Sequence, residues 1–186
     1  AWAFRSPDVD GVVLDTGMDL AQAVSLVRAA EQRQAERLAR QKQLQEAVEK
    51  GDLVPVAAAD LSGELDQATI HGVAQSFTVD RDVRVTAVGI VACLRGPAGA
   101  GLPEMPLSIR SDENGKPGEV LSTARLYPED LSAEPVYRWV YVGLEQPIDL
   151  KAGRVYWLHG AEVSEQGSWY MWRMRRGDAY PGGHAW

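Results

Sequence analysis

Between Met18 and Lys50 the chain carries neither glycine nor proline, and Ala, Leu, Gln, Glu, Arg and Lys dominate the stretch. This is the composition of a long helix. Thr16 and Asp19 stand three apart, a capping-box-like start with Asp in place of Glu or Gln, and Gly51 follows Lys50 as the C-terminal cap. About 33 residues at ~1.5 Å each would make a rod of roughly 50 Å. Leu20, Val24, Val27, Leu38 and Val48 fall on one seam spaced by threes and fours, but Glu31, Gln34, Gln41 and Gln45 interrupt it and Leu44 stands just beside it. So thin an apolar stripe buries little on a lone helix, which favours a coiled coil with polar layers, those five residues forming the oligomerisation seam. The alternative packing is a solvated helix lying along the same chain's β-structure. Glu36 with Arg40 and Glu46 with Lys50 add i, i+4 pairs worth only ~0.3 to 0.5 kcal/mol each.

After the helix the period changes to two. "VAQSFTVDRDVRVTAVGIVACL", "MPLSIRSDENGKPGEVL", "YRWVYVGLEQPIDL", "GRVYWLHGAEV" and "SWYMWRMR" are short alternating or apolar runs separated by Gly, Pro, Asn and Asp turns. Such spacing predicts an antiparallel β-sandwich, jelly-roll-like, and the lack of intervening helices argues against a parallel α/β sheet. In "YRWVYVGL", Val140, Val142 and Leu144 form the natural core set, which leaves Tyr137, Trp139 and Tyr141 on the opposite side. In "SWYMWRMR", arginines seldom point into a core, so Tyr170, Trp172 and Met174 should be buried and Trp169, Met171, Arg173 and Arg175 exposed. Tyr137, Trp139, Tyr141, Trp169 and Arg173 are therefore the candidate ligand-binding residues. Planar rings beside arginine can stack on sugar faces or anchor a protein interface, or be covered by the helix, the N-terminal arm or a neighbouring subunit.

These patterns divide the chain into an extended docking arm (1–17), the coiled-coil helix (18–51), a linker (52–71) and a β-sandwich head (72–186). Composition and charge act mainly by exclusion. The formal charge of −7 is spread along the chain, with 7 basic and 9 acidic residues before Leu53 and 12 and 17 after, so nucleic acid is not an expected partner. The longest apolar run, residues 85 to 94, falls well short of the ~20 residues that cross a bilayer, and no membrane insertion is expected. Cys93 is the sole cysteine and sits in that run, so it reads as a buried, inert thiol.

No catalytic, metal or cofactor set emerges. "SDENG" offers Asp112, Glu113 and Asn114 as oxygen ligands but lacks the distal acid of a calcium loop, and Asn-Gly between strands is the stronger signal for a type I′ hairpin turn. His71, His159 and His184 show no zinc spacing, there is no GxSxG elbow, and the glycines of "RGPAGAGLP" precede no helix. "RGD" at 176–178 is a three-letter match that chance supplies.

The order "QSFTV" (75–79), "VTAVGIVACL" (85–94), "LSIRSDENGKPGEVL" (107–121), "RWVYVGLEQPIDLKAGRVYWL" (138–158) and "YMWR...DAYPGGHAW" (170–186) resembles the choice-of-anchor type β-sandwich module of phage tail and fibre proteins and bacterial surface proteins. The resemblance covers about residues 72–186. It implies a jelly-roll-like fold used for adhesion, display or structural contacts, with no enzymatic residues to transfer. A rod-forming helix before a compact sandwich also resembles the build of oligomeric viral fibres. The expectation is a non-enzymatic, oligomeric virion appendage, a homotrimer, docked to other virion proteins through residues 1–17 and presenting its head to a host surface glycan or another protein. A secreted or cell-surface bacterial carbohydrate-binding or adhesion module is the alternative, and an enzyme is the more distant rival.

Overall fold

The structure is a computed structural model that describes residues 3–6, 9–13, 20–54, 65–69, 73–96, 102–161, 163–165 and 168–175. Along the chain it forms β1 (Ala3–Ser6), β2 (Val9–Val13), α1 (Leu20–Lys50), β3 (Leu65–Thr69), β4 (Val73–Thr78), β5 (Val83–Arg95), β6 (Met105–Asp112) and β7 (Pro117–Leu126). A 3₁₀ turn (Pro128–Asp130) then leads to β8 (Arg138–Leu150), β9 (Val155–Gly160), β10 (Ser164–Glu165) and β11 (Ser168–Arg175). The chain is thus mainly β with one long helix. Within residues 1–17, read from the sequence as an extended arm, β1 and β2 pair as an antiparallel hairpin.

Two antiparallel sheets share one core. One runs β10-β11-β5-β8, with β3 also paired to β11, and the other runs β4-β9-β6-β7. Strand β3 lies within the segment read as linker, so the first sheet begins before residue 72. Ile90, Ala92, Val140, Val142, Leu144, Tyr170 and Trp172 meet Met105, Leu107, Ile109, Ala124, Leu126 and Tyr156 between the sheets. The alternation read from β8 is therefore correct. Gly160 lets the layers approach: a Cβ there would lie 3.1 Å from Trp172 Cζ2 across the core.

Local turn chemistry matches its residues. Asn114 and Gly115 both take positive φ (55° and 77°), and Glu113 and Lys116 exchange backbone hydrogen bonds of 2.9 and 3.2 Å, which is the two-residue type I′ hairpin joining β6 to β7. Asp112 accepts from the Gly115 N–H at 3.2 Å and from Trp157 Nε1 at 2.8 Å, so this carboxylate serves the turn. At the open edge, β7 meets β8 through Ser122 Oγ donating to the Gln146 carbonyl at 2.6 Å and Thr123 Oγ1 to Glu145 at 2.6 Å. Arg125 adds ion pairs to Glu145 and Glu104.

The helix ends as its sequence predicts. Gly51 is left-handed at φ 78°, and its N–H bonds back to the Val48 carbonyl at 3.1 Å. Residues 14–19, including the Thr16–Asp19 start, lie outside the described residues. Lys50 pairs with Glu46 at 3.7 Å, whereas Glu36 accepts from Gln32 Nε2 at 2.9 Å and Arg40 turns to the head instead. The helix lies against β8 of its own chain. Arg37 pairs with Glu129 at 3.1 Å, Gln41 Nε2 donates to Asp130 at 2.8 Å, and Arg40 covers Gly143.

Candidate functional site

The five candidate binding residues come to one face of the first sheet, the face turned away from the core. Parity fixes this. Val140, Val142 and Leu144 point inward from β8, so Trp139 and Tyr141 point out, and on β11 Tyr170 and Trp172 point inward, so Trp169, Met171 and Arg173 point out. The register agrees across the strands, pairing Trp139 with Val91 and Met171 with Cys93.

Trp139 and Tyr141 are two apart on β8 and form the most open part of this face. Their rings are nearly parallel, 9° between planes and 6.0 Å between centroids. Both reach across to Gly89 of β5, where a Cβ would sit 2.9 Å from Tyr141 Cε1 and 3.5 Å from Trp139 Cε3. A Cβ at this position would push on the Tyr141 ring and rest at ordinary contact with Trp139. Trp139 remains 47% exposed and Tyr141 is half-buried. Burial raises the Tyr141 hydroxyl above its ordinary value, and the carboxylate of Glu49 on the helix raises it further. The hydroxyl is therefore a neutral hydrogen-bonding group at any physiological pH.

Tyr137, just before β8, is more enclosed. The Arg173 guanidinium stands 4.2 Å above its ring, a cation–π contact between two of the predicted residues. Its hydroxyl is buried without a well-directed hydrogen-bond partner, and burial, then the neighbouring Cys93 thiol, pushes it up to about 12. Burial likewise pushes the Cys93 thiol up, which keeps it protonated and unreactive, as its apolar run implies. Trp169 is half-buried beside Arg95, which makes a bidentate pair with Glu134 at 2.7 Å for both bonds.

One expectation on this face needs correcting. Met171 was expected to be exposed, yet it and Cys93 are both fully buried although they lie opposite the core. Arg173 and Trp169 are half-buried rather than open. The outer face is thus divided into a closed apolar floor at Cys93 and Met171 and an open aromatic pair at Trp139 and Tyr141. Gly89 was passed over by sequence reasoning, whereas Met171 was placed on the correct face but expected to be exposed. A glycine inside the β-branched run "VTAVGIVA" is the signal that could have flagged the first.

The predicted seam residues are divided by the docked helix. Val24 and Leu38 are 41% and 45% exposed, Val27 and Val48 are half-buried, and the side chain of Leu20 lies outside the described residues. His159 is half-buried on the outer face of β9, and burial, with Arg110 nearby, lowers it below its ordinary value. The side chains of His71, His184, Met174 and Arg175, residues 97–101 and the 176–178 tripeptide lie outside the described residues. Among the described residues there is no group of three or more His, Cys, Asp or Glu that could hold a metal ion, and no helix is long and apolar enough to cross a membrane. What this face offers chemically is contact: exposed ring surface, a neutral phenol and nearby cations. No protein-family model matches the chain, and neither a curated protein nor a solved structure matches it.

Proposed function

We propose that the protein is a non-enzymatic adhesion and display module, built as a jelly-roll-like β-sandwich head whose outer aromatic face is the contact surface. The helix assembles as a coiled-coil stalk with copies of this chain, a trimer in an appendage on a virus particle, and residues 1–17 dock that appendage to other virion proteins. The observation that carries the contact role is the parallel Trp139–Tyr141 pair, packed against Gly89 on the side of the sheet that the core does not need. A half-exposed tryptophan kept in place by a glycine floor is poorly explained by packing alone. Ring faces of this kind meet the C–H faces of sugars or the apolar anchors of a protein partner. Exposed Val24 and Leu38 on the helix support assembly, because they leave apolar surface that sister chains would cover. Several heads on one stalk would let weak single contacts add through linkage.

Two substitutions test the two halves of this reading. Leu38→Asp should lower the mass of the intact chain in sedimentation to that of a monomer while the head stays folded, since Leu38 is 45% exposed in the single chain. Trp139→Ala should abolish glycan-array signal at unchanged stability, within about 0.5 kcal/mol for a surface site. A wild-type chain that sediments as a monomer at all concentrations would remove the stalk, and a wild-type chain that binds no glycan would remove the sugar while leaving a protein contact at this face.

A further inference from the structure

We infer that α1 is a releasable strap, held on its own head by a polar latch centred on Arg37 and Asp130, and that its released form is the one that pairs with copies of this chain. The inference rests on the assembly reading above and adds its control. Among the described residues, Arg37 and Gln41 make side-chain bonds from the helix to the head. Asp130, in the 3₁₀ turn, has a side chain only 2% exposed, accepts from Gln41 Nε2 at 2.8 Å and lies 3.8 Å from Arg37 Nε. Arg37 also reaches Glu129 at 3.1 Å and lays its guanidinium 3.8 Å over the Tyr127 ring. One turn further on, Arg40 lies so close to Gly143 that a Cβ there would be 2.5 Å from its Nη2.

Two features make this latch reversible. Apolar burial is limited: Ala23 is buried, Val27, Leu44, Ala47 and Val48 are half-covered, and Val24, Leu26 and Leu38 face solvent. The ionic centre is also incompletely satisfied: Asp130 Oδ1 and Arg37 Nε are buried without a hydrogen-bond partner among the described residues. Burying a charge pair with unused hydrogen-bonding capacity recovers little of its desolvation cost, and lifting the helix returns both groups to water. Docking is therefore favoured only modestly, with the released form a minor population of the wild type.

The seam supplies the direction of the change. In the docked position Val48 is half-covered while Val24 and Leu38 point away, so the stripe Val24–Val27–Leu38–Val48 is split between head and solvent. It becomes continuous for a second and third copy only when the helix leaves β8. A lone released helix with so thin an apolar stripe would fray, and association is what keeps it folded.

The test uses the full chain with Arg37→Ala and, separately, Gln41→Ala, which removes the donor to Asp130. Amide exchange is first measured at concentrations where sedimentation shows a monomer. Residues 34–48 should exchange about ten- to a hundredfold faster in Arg37→Ala, the range for losing hydrogen bonds to a charged group, while β5, β6 and β9 keep their protection. At higher concentration the same variant should associate more readily than the wild type. If neither variant speeds helix exchange, or if the wild-type monomer already exchanges there as fast as the variants, the latch is wrong whatever the oligomeric state. If exchange speeds up but no association follows at any concentration, the strap stands and the stalk reading falls. Should Arg37→Ala lose the protection of β5, β6 and β9 as well, Gln41→Ala, which leaves every charge in place, decides the matter by the same criteria.

Discussion

Replacing Gly89 with alanine would place a methyl group in the floor beneath the aromatic pair. Its Cβ would lie 2.9 and 3.0 Å from Tyr141 Cε1 and Cδ1 and 3.5 Å from Trp139 Cε3. Carbon atoms rest at about 3.5 to 4.0 Å, so the tyrosine ring must rise by roughly 0.5 to 1 Å while the tryptophan is barely touched. Overpacking of this size costs about 1 to 3 kcal/mol when the neighbours are held. Here Tyr141 is half-open to solvent and can swing outward, which places the cost at the low end. Alanine also recovers about 0.5 to 1 kcal/mol by restricting the unfolded chain. The net change in stability is then about 0 to 1.5 kcal/mol, a shift of a few degrees in the melt. The ring geometry, by contrast, should change outright, because the 9° alignment depends on both rings resting on one backbone. Near-ultraviolet circular dichroism reads this: the difference between the wild type and Trp139→Phe isolates the signal of the pair, and Gly89→Ala should abolish most of it. A preserved pair signal accompanied by a stability loss above about 3 kcal/mol would mean that the strand, not the ring, gave way, and that Gly89 serves core packing instead of the aromatic face.

Tyr170→Phe should destabilise the head by about 1 to 2 kcal/mol in urea unfolding, because its buried hydroxyl donates to the Pro103 carbonyl at 2.8 Å and stands 3.3 Å from that of Leu126; an unchanged midpoint would show that water replaces it at no cost. Asp130 supplies a pH signature. Its carboxyl is raised above its ordinary value, chiefly by burial, so the folded chain holds a proton there that the unfolded chain has released, and the wild type loses stability as pH rises from about 4 through that raised value. Asp130→Asn lacks this slope. The stability of the variant minus that of the wild type should therefore increase between pH 4 and 7, measured by urea titration at each pH, and a flat difference would show that the carboxylate is not desolvated. Asp82, Glu134 and Glu145 are lowered by their hydrogen bonds and lose their contributions as pH falls, but these are common to both proteins and cancel in the difference.

How much of this was legible in the sequence depended on whether one face or two had to be buried. On β8 the alternation is clean because only the inner face is fully covered, so Val140, Val142 and Leu144 were separable from Trp139 and Tyr141 by parity alone. Asn114-Gly115 was legible for a different reason, since two successive positive φ angles leave few residue choices. On β11 the same reasoning failed at Met171, because the outer face is covered there too, beside the buried Cys93 of β5, and period two no longer separates inside from outside. The five candidate residues nevertheless gathered on one face, because a face is set by parity even where exposure is not.

The helix poses the opposite difficulty, since its existence was plain but its neighbour was not. Residues 20–50 have strong helix propensity and a weak apolar stripe, so what they pack against is decided by contacts distant in sequence, Arg37 with Glu129 and Gln41 with Asp130 among them. Hydrophobic periodicity is blind to such pairs because they are polar and non-local. On the proposed reading, the helix that rests on its head through ions and an arginine on glycine has a second place, among copies of the chain. Which it occupies depends on the small difference between burying Asp130 with Arg37 and burying Val24 and Leu38 among copies. That difference, more than the strength of either contact, is what would couple assembly of the stalk to exposure of the aromatic face, because the segment that must leave β8 carries Glu49 beside Tyr141 and Arg40 over Gly143.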